Sequence, residues 1–151
     1  MNLISKILPL ENVLLDVESS SKKRVFEHVG LLFENGQSIA RSQVFDSLFA
    51  REKLGSTGLG QGIAIPHGRI KNLRDAVGAF VKTGNPIPFD APDGQPVNLI
   101  FVLLVPERAT DLHLQLLGEL AQMFSDAAFR TRLQASNDAT EIHKMLTEWQ
   151  G

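Results

Sequence analysis

"VNLIFVLLVP", residues 97–106, is apolar at nearly every position, with Asn98 the polar interruption. A half-buried strand alternates apolar and polar residues, whereas a run this continuous and this short fits a strand covered on both faces. Residues 97–105 therefore read as the central strand of a sheet with helices packed on either side. Two earlier segments, "GIAIP" at 62–66 and "AVGAFVKT" at 76–83, read as further strands, and residues 13–17 as a short one near the N-terminus.

Helical periods flank these strands. "SSSKKRVFEHVGLLFENG", residues 19–36, offers a serine N-cap, apolar Val25, Val29, Leu32 and Phe33 at helical spacing, and Gly36 as a stop. A second helix carries Val44, Phe45, Leu48 and Phe49 on one face. Beyond the central strand, Thr110 is placed to cap a helix bearing Leu112, Leu116, Leu117, Leu120, Met123 and Phe124. Asp126 caps a shorter one through Leu133, and "NDATEIHKMLTEW", residues 137–149, is an amphipathic third. Helices come in blocks before and after the strands rather than alternating with them. This order favours an α/β fold with a mixed β-sheet sandwiched by helices, in one domain over residues 1–151, above a doubly wound parallel sheet.

Composition narrows the function. With 151 residues and 43% hydrophobic content the chain can bury a real core. No apolar run reaches the roughly 18 residues of a membrane-spanning helix, and "MNLISKILPLENV" lacks the parts of a signal peptide, so membrane insertion is not expected and a cytoplasmic location is. The absence of cysteine excludes disulfides and thiolate chemistry. Fifteen basic against seventeen acidic residues, with no basic block, gives none of the electrostatic footprint of a nucleic-acid binder.

"STGLGQGIAIPHG", residues 56–68, concentrates the chemistry. A nucleotide P-loop needs a lysine after its last glycine, yet Gln61 follows Gly60; a dinucleotide fingerprint needs a strand before its glycines and a helix after, the reverse of the order here. Gly55, Gly58, Gly60 and Gly62 suit a tight helix-to-strand connection or a close approach of backbone to an anion. Pro66 has no N–H and holds Ile65 extended, so the apolar strand is expected to end there and project His67 beside the loop.

A second histidine points the same way. On a helical wheel His113 falls about 60° from Leu116, between Leu120 at about 40° and Phe124 at about 80°, so it lies within the apolar stripe of the helix's first turn. Such a ring is either a hydrogen-bonded core residue or one placed where free N–H groups and the helix dipole favour an anion. His28 and His143 lie about 100° from their helices' apolar stripes and read as surface residues. Two histidines without acidic or thiolate partners make a poor zinc site, so no metal is expected. Nothing marks a nucleophilic serine elbow. Histidine as nucleophile remains: an imidazole with a pKa of about 6.5 offers a lone pair near neutrality and needs no general base to take a phosphoryl group. Oxygen-binding donors are available from the Arg51 guanidinium, the Ser56 and Thr57 hydroxyls, backbone N–H groups such as that of Gly58, and the start of the His113 helix.

"FAREKLGSTGLGQGIAIPHGR", residues 49–69, resembles the active-site signature of the phosphotransferase-system enzyme IIA domains of the fructose/mannitol type, and within them the nitrogen-regulatory branch. The similarity extends from the "SKKRVFEHVGLLF" helix to the "HLQLLGELAQMF" helix. It implies a phosphohistidine carrier that needs no cofactor, with His67 as acceptor through its Nε2 (tele) nitrogen, Arg51 as the active-site arginine and His113 as the second histidine that orients the first or stabilises the phosphoryl group. It also implies an HPr-like donor, charged from phosphoenolpyruvate through enzyme I, and regulatory targets such as potassium-transport or sensor-kinase components. The alternative is a sugar-specific fructose/mannitol IIA that passes phosphate to a IIB domain. Gln61 stands where mannitol-type domains have glutamate, a departure that disfavours sugar transport. Leu54, Leu59, Ile63 and Ile65 surround the signature, and those not used in the core are expected to form an apolar docking ring.

Overall fold

The computed structural model describes residues 2–108 and 111–151. After 3-10 turns at Leu3–Lys6 and Leu10–Asn12 come β1 (Val13–Val17), α1 (Lys22–Gln37), α2 (Arg41–Glu52), β2 (Gly58–Gly60), β3 (Ile63–Ala64), β4 (His67–Ile70), β5 (Val77–Ile87), β6 (Val97–Pro106), α3 (Asp111–Ser125), α4 (Ala127–Ala135) and α5 (Ala139–Glu148).

The strands form one mixed sheet in the order β1-β5-β6-β3-β2, with β4 also pairing β6. β1 runs parallel to β5, β5 antiparallel to β6, and both β3 and β4 parallel to β6. The apolar run is the central strand, as its sequence requires. Leu99, Phe101, Leu103 and Val105 enter one core with Leu116, Leu120, Met123 and Phe124 of α3 and residues of α4 and α5. Ile100, Val102 and Leu104 enter the other, with Val25, Phe26, Val29 and Phe33 of α1 and Val44 and Leu48 of α2. Period-2 alternation thus serves two apolar faces at once, which leaves no polar positions to alternate with. Among the described residues, no helix is long and apolar enough to cross a membrane.

Three local expectations need correction. The apolar strand β3 does end before Pro66, but His67 is not left at its tip: pairing breaks only at Ile65–Pro66 and resumes at His67, so β3 and β4 lie end to end along β6, with Ile63 opposite Leu99 and His67 opposite Leu103. Proline lacks a donor but keeps its carbonyl, which accepts from Leu103 N at 2.9 Å and holds the chain in line. Gly36 does not stop α1; the helix runs on to Gln37, and Ser38 takes the left-handed conformation at φ 59°. Leu112, expected on the apolar stripe, is exposed. The serine cap of α1 is Ser21, whose side chain accepts from Arg24 N, and Asp126 caps α4 through Phe129 N. The expected Thr110 cap lies outside the described residues.

Gly68 decides how α2 meets the sheet. A Cβ on Gly68 would run into Ser47 Oγ and lie 3.0 Å from Ser47 Cβ. Its absence lets α2 press directly onto β4, with Ser47 Oγ donating to Arg69 O at 3.0 Å. That close approach brings the last turn of α2, which carries Arg51, to His67.

Candidate functional site

The site is assembled from β4, the end of α2 and the start of α3. His67 Nδ1 lies 2.9 Å from Ile65 O, and its Nε2 lies 3.2 Å from Arg51 Nε. An arginine only donates, so Nε2 must carry the lone pair, and Nδ1–H then donates to the carbonyl. Both contacts select the same tautomer. Arg51 is itself braced by Nη1 donating to Gly55 O at 2.8 Å.

His113 stands in the first turn of α3, with its ring centroid 5.2 Å from that of His67 and the planes at 61°. Its Nε2 is buried and has no hydrogen-bond partner among the described residues. Its Nδ1 faces Arg69 Nη2 at 3.4 Å. Burial, the largest influence, holds the His67 pKa below the ordinary 6.5; the Ile65 carbonyl pulls it up, Arg51 pushes it down, and Glu52 raises it slightly. His113 is lowered too, first by burial and then by His67, Arg69 and Arg51. Two neutral imidazoles therefore share a surface with two permanent cations. Among the described residues, no group of three or more His, Cys, Asp or Glu is placed to hold a metal ion.

The expected loop donors are otherwise engaged. Ser56 Oγ donates to Phe89 O at 2.6 Å and accepts from Gly58 N at 3.0 Å. Thr57 is buried; its hydroxyl donates to Glu52 Oε1 at 2.6 Å and its N–H to Glu52 Oε2 at 3.0 Å. These groups shape the loop, and of the donors expected from side chains only Arg51 meets His67. Of the apolar ring, Leu54 and Leu59 are exposed, whereas Ile63 and Ile65 are core residues, because the β3–β4 line buries them against β6. His28 is exposed, but His143 is half-buried and sits 2.8 Å from Leu8 O: the N-terminal segment folds over a helix face that the wheel alone leaves open.

Two residues of the site are not among those the sequence singles out. Arg69 follows His67 by two positions and so shares its face of β4, a spacing that could have revealed it. Glu52 continues the stripe of Val44 and Leu48 at intervals of four, which marks it as inward-facing. Its carboxylate also accepts from Lys22 Nζ at 2.9 Å, joining the start of α1, the end of α2 and the glycine loop.

The family model of the phosphoenolpyruvate-dependent sugar phosphotransferase system, EIIA 2, matches residues 6–149. The chain belongs to this family. As an EIIA 2 chain it is 41% identical over 148 residues to the nitrogen regulatory protein of Pseudomonas aeruginosa, covering 97% of this chain and 96% of that one. It is 32% identical over 146 residues to the fructose-specific EIIA component of Haloferax volcanii, covering 96% and 95%. The crystal structure of nitrogen regulatory protein IIA-Ntr from Neisseria meningitidis matches with a TM-score of 0.92 at 55% identity, over 97% of this chain and 100% of that one. At 21% identity, with a TM-score of 0.79 over 95% of this chain and 100% of that one, the EIIA 2 chain also shares the fold of Escherichia coli enzyme IIA for mannitol, solved with phosphorylated IIB.

Proposed function

We propose that this EIIA component is a phosphohistidine carrier that accepts a phosphoryl group on Nε2 of His67 from an HPr-like phosphocarrier and acts mainly as a regulator. The observation that carries the reading is the His67 tautomer: a lone pair on Nε2, fixed by Ile65 behind and capped by Arg51 in front. In the step itself, Nε2 attacks the donor's phosphorus in line. The donor's N–P bond breaks with its electron pair returning to the donor imidazole, and the Nε2–P bond forms. Nδ1–H keeps its hydrogen bond to Ile65 O, which stabilises the positive charge that develops on the ring. Arg51 shifts from Nε2 to a phosphoryl oxygen, and the start of α3 adds its positive dipole end.

A partner protein is a better fit than a small substrate. Clefts of about 660 Å³ between α4 and α5 and about 620 Å³ between α1 and α2 are lined by neither His67 nor His113. Exposed Leu54 follows Arg51 closely in sequence and exposed Leu112 and Leu114 flank His113, giving the apolar surface on which two proteins exclude water during transfer. Phosphorylation adds roughly −1.5 to −2 charges there, enough to change which partners bind. The relatives named nitrogen regulatory protein support targets in nitrogen control, and by extension potassium-transport or sensor-kinase components, reached in the cytoplasm. The likeness to a fructose-specific component favours a second reading, in which the phosphoryl group passes to a IIB domain.

Incubation with phosphoenolpyruvate, enzyme I and HPr tests the carrier role by intact mass: the wild type gains one phosphoryl group and His67→Ala gains none. Labelling that persists in His67→Ala removes the reading. Adding a IIB domain then separates the two roles by intact mass, since a sugar-specific IIA loads it with a phosphoryl group and a regulator does not.

A further inference from the structure

The buried Nε2 of His113 has no partner among the described residues, while the opposite nitrogen of the same ring faces Arg69. A guanidinium carries five N–H donors, no acceptor, and stays protonated. Its Nη2 can approach Nδ1 favourably only if Nδ1 holds a lone pair, which leaves the ring's proton on Nε2. Arg69 is fixed from behind, because Nη1 donates to Glu107 O at 2.8 Å, and β4 sets it on the same face as His67.

We propose that Arg69 is a positioning residue for phosphoryl transfer: it fixes His113 in the Nε2–H tautomer and so aims an N–H donor at the oxygens of a phosphoryl group on His67. This rests on the reading of His67 as acceptor. The two rings then carry opposite tautomers, each set by its own arginine. His67 offers electrons from Nε2, and His113, 5.2 Å away between centroids, offers a proton from Nε2. A buried N–H without a partner is costly, and the arrival of an anion relieves that cost, so the orphaned donor favours the charged state of its neighbour. Burial and the surrounding cations keep His113 neutral, as a single-proton ring requires.

Two measurements at about pH 7.5, where both rings are neutral, test this. Long-range ¹H–¹⁵N NMR of the unphosphorylated protein should show His113 as the Nε2–H tautomer in the wild type, a mixture in Arg69→Met, and partial recovery in Arg69→Lys. Single-turnover transfer from phosphorylated HPr should slow about tenfold in Arg69→Met, as when the group orienting a working histidine is lost, with the half-saturating donor concentration unchanged. In a His113→Ala background, Arg69→Met should cost nothing further. The proposal is overturned if His113 keeps a single Nε2–H tautomer in Arg69→Met, if the loss is undiminished in His113→Ala, or if only the half-saturating concentration moves. Failure of the acceptor reading looks different: the wild type itself takes no phosphoryl group, while the tautomer measurement still decides what Arg69 does.

Discussion

Arg51 points its Nε–H at the His67 Nε2 lone pair across 3.2 Å, so on the proposed carrier role the group that would bind the phosphoryl oxygens already sits against the acceptor nitrogen. The contact does two things at once. It holds the ring in the tautomer with its lone pair on Nε2, and it places a cation beside it that opposes protonation.

Replacing Arg51 should therefore harm the chemical step more than the fold. Removal of one preorganised donor to a developing oxyanion costs about 10²–10³ in rate, and Arg51→Ala is expected in that range for transfer from phosphorylated HPr. Arg51→Lys keeps the charge but loses the fork that reaches both His67 and Gly55, so it should recover only part. Rapid-quench transfer assays check this; an Arg51→Ala rate within about twofold of wild type would show that the guanidinium is not engaged with the phosphoryl group.

The lowered histidines set a pH window. An unfolded histidine titrates near 6.5, and burial holds both His67 and His113 below that value in the folded chain. As pH falls the unfolded state binds protons first. The stability these residues leave intact is fully present above about pH 6.5 and is lost as pH drops toward the folded-state values. Thermal melts should show Tm falling through that window, and the His67→Gln/His113→Gln variant should fall less steeply. Identical slopes would mean that neither ring is held neutral by the fold. Transfer should likewise stay flat above about pH 6.5 and decline only below it.

Gly68→Ala tests the approach of α2 to β4. The new methyl group meets Ser47, so either α2 lifts or the strand shifts, at a cost of about 1–3 kcal/mol by overpacking. Because Arg51 rides on α2, transfer should slow as well, although no reacting group is changed. Chemical denaturation and the same transfer assay report the two effects separately; a stable protein with unimpaired transfer would show that the close contact does not set the Arg51–His67 distance.

Much of this was legible in the sequence. The unbroken run at 97–105 announced a strand with two cores, because a segment that short with no polar face must be covered on both sides. The glycine-loop signature and the α3 wheel single out His67, His113 and Arg51, which the structure brings together. What local pattern could not supply was the partner of each polar group. Ser56 is held by Phe89, Thr57 and Gly58 by contacts that close the loop on itself and on Glu52, and His143 by Leu8. Such bonds join residues that meet only when the chain has folded, so hydroxyls that look like anion donors in sequence turn out to be spent.

Leu54 is 84% exposed and follows Arg51 by three positions, so on the proposed carrier role it is a candidate anchor of the donor's docking surface. Leu54→Asp should leave Tm unchanged and raise the half-saturating concentration of the phosphorylated donor about tenfold or more, as expected when an interface anchor is lost. Surface plasmon resonance against HPr measures it, and unaltered binding would remove Leu54 from the docking surface.

On the proposed carrier role, Nε2 of His67, and no other atom, takes the phosphoryl group. Phosphorus coupling to the ring nitrogens of ¹⁵N-labelled protein, read after charging with phosphoenolpyruvate, enzyme I and HPr, tests it most directly. Coupling is expected at Nε2 of His67 alone, with its Nδ1 still protonated toward Ile65. Phosphorus on Nδ1 of His67, or on His113, would contradict it.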